Sequence, residues 1–281
     1  MVYPRFFCKG FRVLTKAIVR PPAPNFAEGL TTANLGAPDY ERALAQHDAY
    51  CQTLRQCGLK VITLEPDPLY PDSTFVEDTA VLTHKCTVLT RPGAESRSGE
   101  VESMREVLVD FFPPPGQIQS PGTMDGGDIC EAGNHFFIGI SERTNEAGAS
   151  QLAQLLAPFG YTSSFVDIRG LSGTESVPGA LATGSRLLHL KSGLAFVGEN
   201  RLAVIEALGD RPEVVDYDLV RVNDDETYAA NCIRVNDHVL VASGFPTLER
   251  NLQAVGYQTI ALEMSEFQKM DGGLSCLSLR F

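Results

Sequence analysis

The 281-residue chain is expected to adopt an α/β fold, and three observations carry that expectation. Short β-branched apolar runs alternate with amphipathic stretches whose apolar residues recur at helical spacing. The alternation returns about five times, at intervals of roughly 45 to 70 residues, too long and too uneven for a solenoid. Hydrophobic residues make up 43% of the chain and charged residues 21%, which suits a sizeable core and argues against disorder of the whole.

The first unit runs from Ala17-Ile18-Val19, through a helix over 39–57, to Val61-Ile62-Thr63-Leu64. Tyr40, Leu44, His47 and Cys51 form that helix's stripe. The second has a strand over 86–90 and a helix over 98–111. The third has a strand over 136–139, a helix over 144–158 and a strand over 162–166. The fourth has a strand over 194–197 and a helix over 200–208. The fifth has a strand over 239–241, a helix over 247–255 and a strand over 259–262. A ring of about five such units would leave a central axis; the alternative is a doubly wound open sheet. No G-x-G-x-x-G follows the first strand, which weakens a dinucleotide reading. Residues 169–186, rich in Gly, Ser, Thr and Ala, read as a flexible insert. Residues 1–12 read as a basic lead into one domain spanning 1–281.

Lys and Arg number 23 against 35 Asp and Glu, a net charge of −12. Nucleic-acid binding needs a cationic footprint that this balance lacks. No run of about 18 apolar residues exists to cross a membrane. An acidic cleft suits a small cationic ligand, and the acidic balance suits the cytoplasm. Arg5, Lys9, Arg12, Lys16 and Arg20 with no acid among residues 1–20 leave an organellar transit peptide as the weaker alternative. The seven cysteines are odd in number, widely spaced and free of C-x-x-C, against a disulfide framework or a structural zinc site.

Four clusters place polar groups among apolar ones. Asp72, Glu77 and Asp78 precede an apolar strand, where alternation would send Glu77 and Asp78 to opposite faces. Asp125 and Asp128 bracket two glycines, a pattern open to a site or a plain turn. His189 and Lys191 would share one face of a strand while Leu188 and Leu190 take the other. Cys276 follows two glycines and a serine; a thiol with a histidine partner suits covalent catalysis, and a core cysteine is the equal alternative. Arg97 and Arg143 lie on loops after strands, where a guanidinium fork binds a carboxylate.

At these residues the sequence resembles the dimethylarginine dimethylaminohydrolases, especially the bacterial form, within the guanidino-modifying five-bladed α/β-propeller (pentein) superfamily. The resemblance rests on FVED, TRPGAESR, the D-G-G-D turn, RTN, HLKSG, YAANCI and DGGLSC followed by SLRF, in order along residues 12–281. It implies hydrolysis of dimethyl- and monomethylarginine to citrulline, without metal or cofactor, by a monomer or homodimer. Cys276 matches the nucleophile, His189 the general acid and base, and Asp125 the acid that holds this histidine. Asp78 matches the carboxylate on the guanidinium, with Asp72 and Glu77 at further substrate positions. Arg97 and Arg143 match clamps on the substrate carboxylate, Leu30 the lid loop, and Met270 a contact before the active-site glycines. Asp125 stands where the bacterial form usually has Glu, and the 169–186 insert is outside the family pattern. Arginine and agmatine deiminases are the rival enzymes; they usually carry His-x-Asp where this chain has His189-Leu190-Lys191. A non-catalytic binding scaffold on the same propeller, like the ribosomal anti-association factor, is the rival from another class.

Overall fold

The structure, a computed structural model, describes residues 13–171 and 187–281. Its strands form five three-stranded sheets of one design. In each, an inner strand pairs antiparallel with a middle strand, and the middle strand pairs parallel with an outer one. A parallel pair needs a crossover connection, and a helix supplies it each time. In the first blade the middle strand β1 (Lys16–Val19) pairs with the outer strand β2 (Lys60–Thr63) across α1 (Tyr40–Gln56). The second blade is β3 (Ala80–Leu82), β4 (Thr87–Leu89), α2 (Glu100–Leu108) and β5 (Gly116–Gln117). The third is β6 (Ile129–Ala132), β7 (His135–Ile140), α3 (Glu146–Leu156) and β8 (Thr162–Asp167). The fourth is β9 (Leu194–Gly198), β10 (Arg201–Ile205), α4 (Glu206–Gly209) and β11 (Asp218–Val222). The fifth is β12 (Ile233–Val235), β13 (His238–Ala242), α5 (Pro246–Ala254) and β14 (Gln258–Leu262), followed by α6 (Ser265–Gln268). The C-terminal β15 (Leu279–Arg280) is the inner strand of the first blade: Ala17 faces Arg280 and Ile18 faces Leu279. That pairing closes the ring.

Several sequence expectations need correction. The helix over 200–208 is the strand β10 followed by only four helical residues. Glu199 and Asn200 both adopt positive φ, 53° and 60°, the backbone of a tight hairpin turn, and they return the chain as a strand. Leu202, Ala203, Val204 and Ile205 are buried, as a middle strand covered on both faces demands. Of the expected stripe on α1, His47 and Cys51 are buried, together with Ala43, Tyr50 and Leu54, while Tyr40 and Leu44 are only half-buried. The helix over 98–111 is confined to Glu100–Leu108. The start of the expected flexible insert is held in place, with Arg169 paired to Asp167 at 2.7 Å and to Glu146 at 2.8 Å. Leu187 N–H donates to the Leu171 carbonyl at 3.1 Å. The rest of that insert and the basic lead lie outside the described residues.

A 3-10 turn runs into each inner strand: Val76–Thr79 before β3, Gly126–Asp128 before β6, Leu190–Ser192 before β9, Asp224–Ala230 before β12, and Ser275–Leu277 before β15. These five related turns ring the axis and position the site.

Candidate active site

Nine of the ten residues nominated by sequence line one pocket of about 30 Å³. Asp78 sits within the first of the five turns, Asp125 and His189 are the N-cap residues of the second and third, and Cys276 lies within the last. A 3-10 turn advances about 120° per residue, so successive side chains leave it in different directions. Asp78, Asp125, His189 and Cys276 line the pocket, while their near neighbours Glu77, Gly126, Lys191 and Ser275 line a separate cavity of about 470 Å³. The inner strands β3, β6, β9, β12 and β15 all contribute to this larger cavity, which therefore occupies the axis. A single layer of turns separates the two spaces.

That division corrects two expectations. Glu77 is not in the pocket with Asp72 and Asp78; its carboxylate accepts from Lys191 Nζ at 2.6 Å and from Ser275 Oγ at 2.7 Å. His189 and Lys191 do not share a strand face, because the segment is a turn. Lys191 therefore does not present its amine to the pocket. Glu77 and Asp78 do separate as expected, through the turn rather than a pleat.

Within the pocket, His189 Nε2 donates to Asp125 Oδ2 at 3.0 Å. The other oxygen of Asp125 accepts the Gly93 N–H at 2.8 Å, which fixes the carboxylate. Asp78 accepts from the Gly127 N–H at 2.8 Å and from Arg97 Nη1 at 2.6 Å. A Cβ on Gly127 would lie 2.6 Å from the His189 ring, so glycine is what lets Asp78 and His189 approach this backbone. Arg97 is buried and also binds both oxygens of Glu100, at 2.9 and 2.8 Å. Arg143 also lines the pocket, and among the described residues its guanidinium is in no ion pair with a carboxylate. Asp72 accepts the Leu30 N–H at 3.0 Å. The lid loop around Leu30 is latched to the C-terminal segment: Thr31 Oγ1 donates to the Lys269 carbonyl, and Thr32 donates through N–H and Oγ1 to Asp271. Phe75, Leu188 and Met270 supply apolar wall.

Charge in the site follows from burial and these contacts. Burial works against the Asp78 anion, but His189 and Arg97 outweigh it and hold its pKa at about 2. Burial likewise works against the His189 imidazolium, but Asp78 and the bond to Asp125 outweigh it and raise its pKa to about 9. Burial, with Glu77 and Asp78 close by, pushes the Cys276 thiol up to about 12. The ligand atoms of Asp78, Asp125 and His189 lie within 4.8 Å of one another, close enough for a metal ion. Arg97 already neutralises Asp78, and a donating imidazolium occupies Asp125, so these residues do not fit a resident cation.

Sequence reasoning did not assign Asp271, Phe75 and Leu188 to the pocket, nor Asp128, Glu100 and Asn231 to its support. Asn231 binds both the N–H of Ser275, at 2.8 Å, and its hydroxyl, at 3.1 Å, steadying the turn of Cys276. Asp271 and Asn231 stand inside the quoted motifs. Glu100 could be found only as the i+3 partner of Arg97.

Five three-stranded blades around an axis, with cysteine, histidine and carboxylates on the turns at one end, define a pentein-type α/β propeller. A family model described as N,N dimethylarginine dimethylhydrolase, eukaryotic, matches residues 37–205. The N(G),N(G)-dimethylarginine dimethylaminohydrolase of Pseudomonas aeruginosa is 41% identical over 94% of this chain and 98% of its own. A cysteine-to-serine variant of the P. aeruginosa enzyme, solved with citrulline, superposes with a TM-score of 0.87 at 40% identity, covering 96% of this chain and 100% of that one. The N-terminal domain of ArgZ, an arginine dihydrolase solved with its product, shares the fold at 18% identity, with a TM-score of 0.79 over 96% of this chain and 97% of that domain. The chain belongs to the dimethylarginine dimethylaminohydrolase family.

Proposed function

We propose that the protein hydrolyses Nω,Nω-dimethyl-L-arginine, and the monomethyl form, to L-citrulline and dimethylamine or methylamine. The observation that carries this is the convergence of Cys276, His189, Asp125 and Asp78 on one pocket beside Arg143, which is in no ion pair among the described residues. The guanidinium sits against Asp78, whose lone pairs exceed the two bonds it already accepts. The substrate carboxylate meets Arg143, with the buried Arg97 behind Asp78 in support.

At neutral pH the free site holds a neutral thiol and an imidazolium. A cationic guanidinium offsets Glu77 and Asp78 and favours the thiolate, with the thiol proton released to solvent. The sulfur attacks the guanidinium carbon, and His189 protonates the departing amine as the C–N bond breaks. The remaining cationic thiouronium is attacked by water, whose proton returns to His189. The C–S bond then breaks, and the proton of the new oxygen passes to the departing thiolate, which leaves the ureido group of citrulline and restores the neutral thiol. Asp125 keeps the imidazole aimed throughout.

Phe75, Leu188 and Met270 offer apolar wall to N-methyl groups, and burial favours each methyl by about 0.8 kcal/mol. A lysine at position 191 does not discriminate directly, since its amine faces the other cavity. Symmetric dimethylarginine fails because a methyl group would occupy the nitrogen held by Asp78. The test is citrulline release from asymmetric dimethyl-, monomethyl- and symmetric dimethylarginine and from arginine at equal concentration. Arginine as the best substrate would make the enzyme a deiminase.

The site acts on a small molecule in solution, consistent with no described helix being long and apolar enough to cross a membrane. We place the protein in the cytoplasm on its acidic balance, as one catalytic domain that works as a monomer or homodimer.

A further inference from the structure

We propose that Asp128 is the positioning residue that keeps the carboxylate clamp and the acid–base pair in register. The proposal rests on the reaction proposed above. Asp128 is fully buried and does not line the pocket, yet three pieces of the site hang from it. Its Oδ2 accepts from the Ser141 hydroxyl at 2.7 Å and the Thr144 hydroxyl at 2.6 Å, and its Oδ1 accepts the Leu190 N–H at 2.9 Å.

The direction of each bond is forced. Ser141 Oγ already accepts from the N–H of Arg143 at 3.0 Å and of Thr144 at 3.1 Å, so both its lone pairs are filled and its hydrogen must go to Asp128. Thr144 Oγ1 accepts the N–H of Asp125 at 3.1 Å and likewise gives its hydrogen to Asp128. Two relays result, one from Asp128 through Ser141 to the backbone of Arg143, the other through Thr144 to the backbone of Asp125. The third bond holds the residue after His189. The arrangement requires an acceptor-only group: an asparagine would turn its N–H₂ either toward hydroxyls that have hydrogens to give or toward the Leu190 N–H. Space is also tight, since a Cβ on Gly139 would lie 2.8 Å from Asp128 Oδ1.

The two relays end on different functions, so they can be separated kinetically. Ser141→Ala loosens the turn of Arg143 and should raise KM roughly 10- to 100-fold, with kcat within about threefold. Thr144→Val frees the backbone of Asp125 and should lower kcat by a similar factor with KM held, while Thr144→Ser keeps the hydroxyl and restores kcat. Asp128→Asn should show both effects. Equal losses in both constants in Ser141→Ala and in Thr144→Val, or a lowered melting temperature with neither constant moved, would overturn the proposal by reducing Asp128 to a structural group. A second measurement needs no substrate: NMR titration of the His189 imidazole should give a lower midpoint in Thr144→Val than in the wild type, and an unmoved midpoint would also overturn it. If the wild type releases no citrulline while that midpoint moves, the proposed reaction fails and the positioning role stands.

Discussion

Cys276 lies on the turn Ser275–Leu277 with its thiol buried and its pKa pushed up to about 12. A serine there would be harder still to ionise, and no cationic substrate could make it a competent anion. Cys276→Ser should therefore leave melting temperature nearly unchanged and reduce citrulline formation below detection; measurable turnover would exclude a covalent cysteine route. His189 gives a pH prediction with a definite sign. Its pKa rises from 6.5 to about 9 on folding because Asp78 and Asp125 overcome the effect of burial. A raised pKa means the folded state holds the proton more tightly, so this contribution is full below about 6.5 and is lost as pH rises through about 9. The stability difference between wild type and His189→Gln should shrink across that window, and a difference that grows would contradict the charge assignment. The sequence made Cys276, His189, Asp78 and Asp125 legible because their motifs are short and local. It misplaced Lys191, because strand alternation does not describe a 3-10 turn; alternation did part Glu77 from Asp78, and only the family resemblance put Glu77 in the substrate pocket.

At the scale of elements, the lid and the 3-10 turns matter most. Leu30 and Asp271 both line the pocket, so the loop around Leu30 forms part of the wall that an arginine derivative passes. Asp271 is its latch, and it adopts a φ of +57°. Glycine tolerates that backbone freely, so Asp271→Gly removes the carboxylate without adding strain. Hydrogen exchange at residues 29–33 should accelerate in this variant, most clearly at Thr32, while the rates of β7 stay as in the wild type. Unchanged lid exchange would show that Asp271 is not the latch. Four crossover helices were readable from periodicity. The misread segment, 200–208, shows the limit: Leu202 to Ile205 form an apolar run that fits a buried helix turn or a buried strand equally well. Only its pairing with β9 and β11 decides.

For the whole molecule, the ring is fastened by its last residues. Phe281 accepts from the N–H groups of Thr15 and Lys16 at 2.8 and 2.7 Å, and Lys16 accepts the N–H of Phe281 at 2.9 Å. Leu279 and Phe281 are both buried, so losing them removes roughly 4 kcal/mol or more of packing. Deleting residues 279–281 should lower the melting temperature by more than about 8 °C and abolish turnover, since Cys276 is three residues from the cut; a truncated chain with wild-type melting would refute closure by β15. This closure was not legible in the sequence. A two-residue strand carries no periodicity, and its partner lies at the other end of the chain. The central claim, that this ring holds a cysteine hydrolase for N-methylated arginine, is tested most directly by product analysis with the wild-type enzyme. Asymmetric dimethylarginine should yield equal amounts of citrulline and dimethylamine, far faster than arginine yields citrulline and ammonia. Faster release of ammonia from arginine, or no citrulline from the methylated substrate, would contradict it.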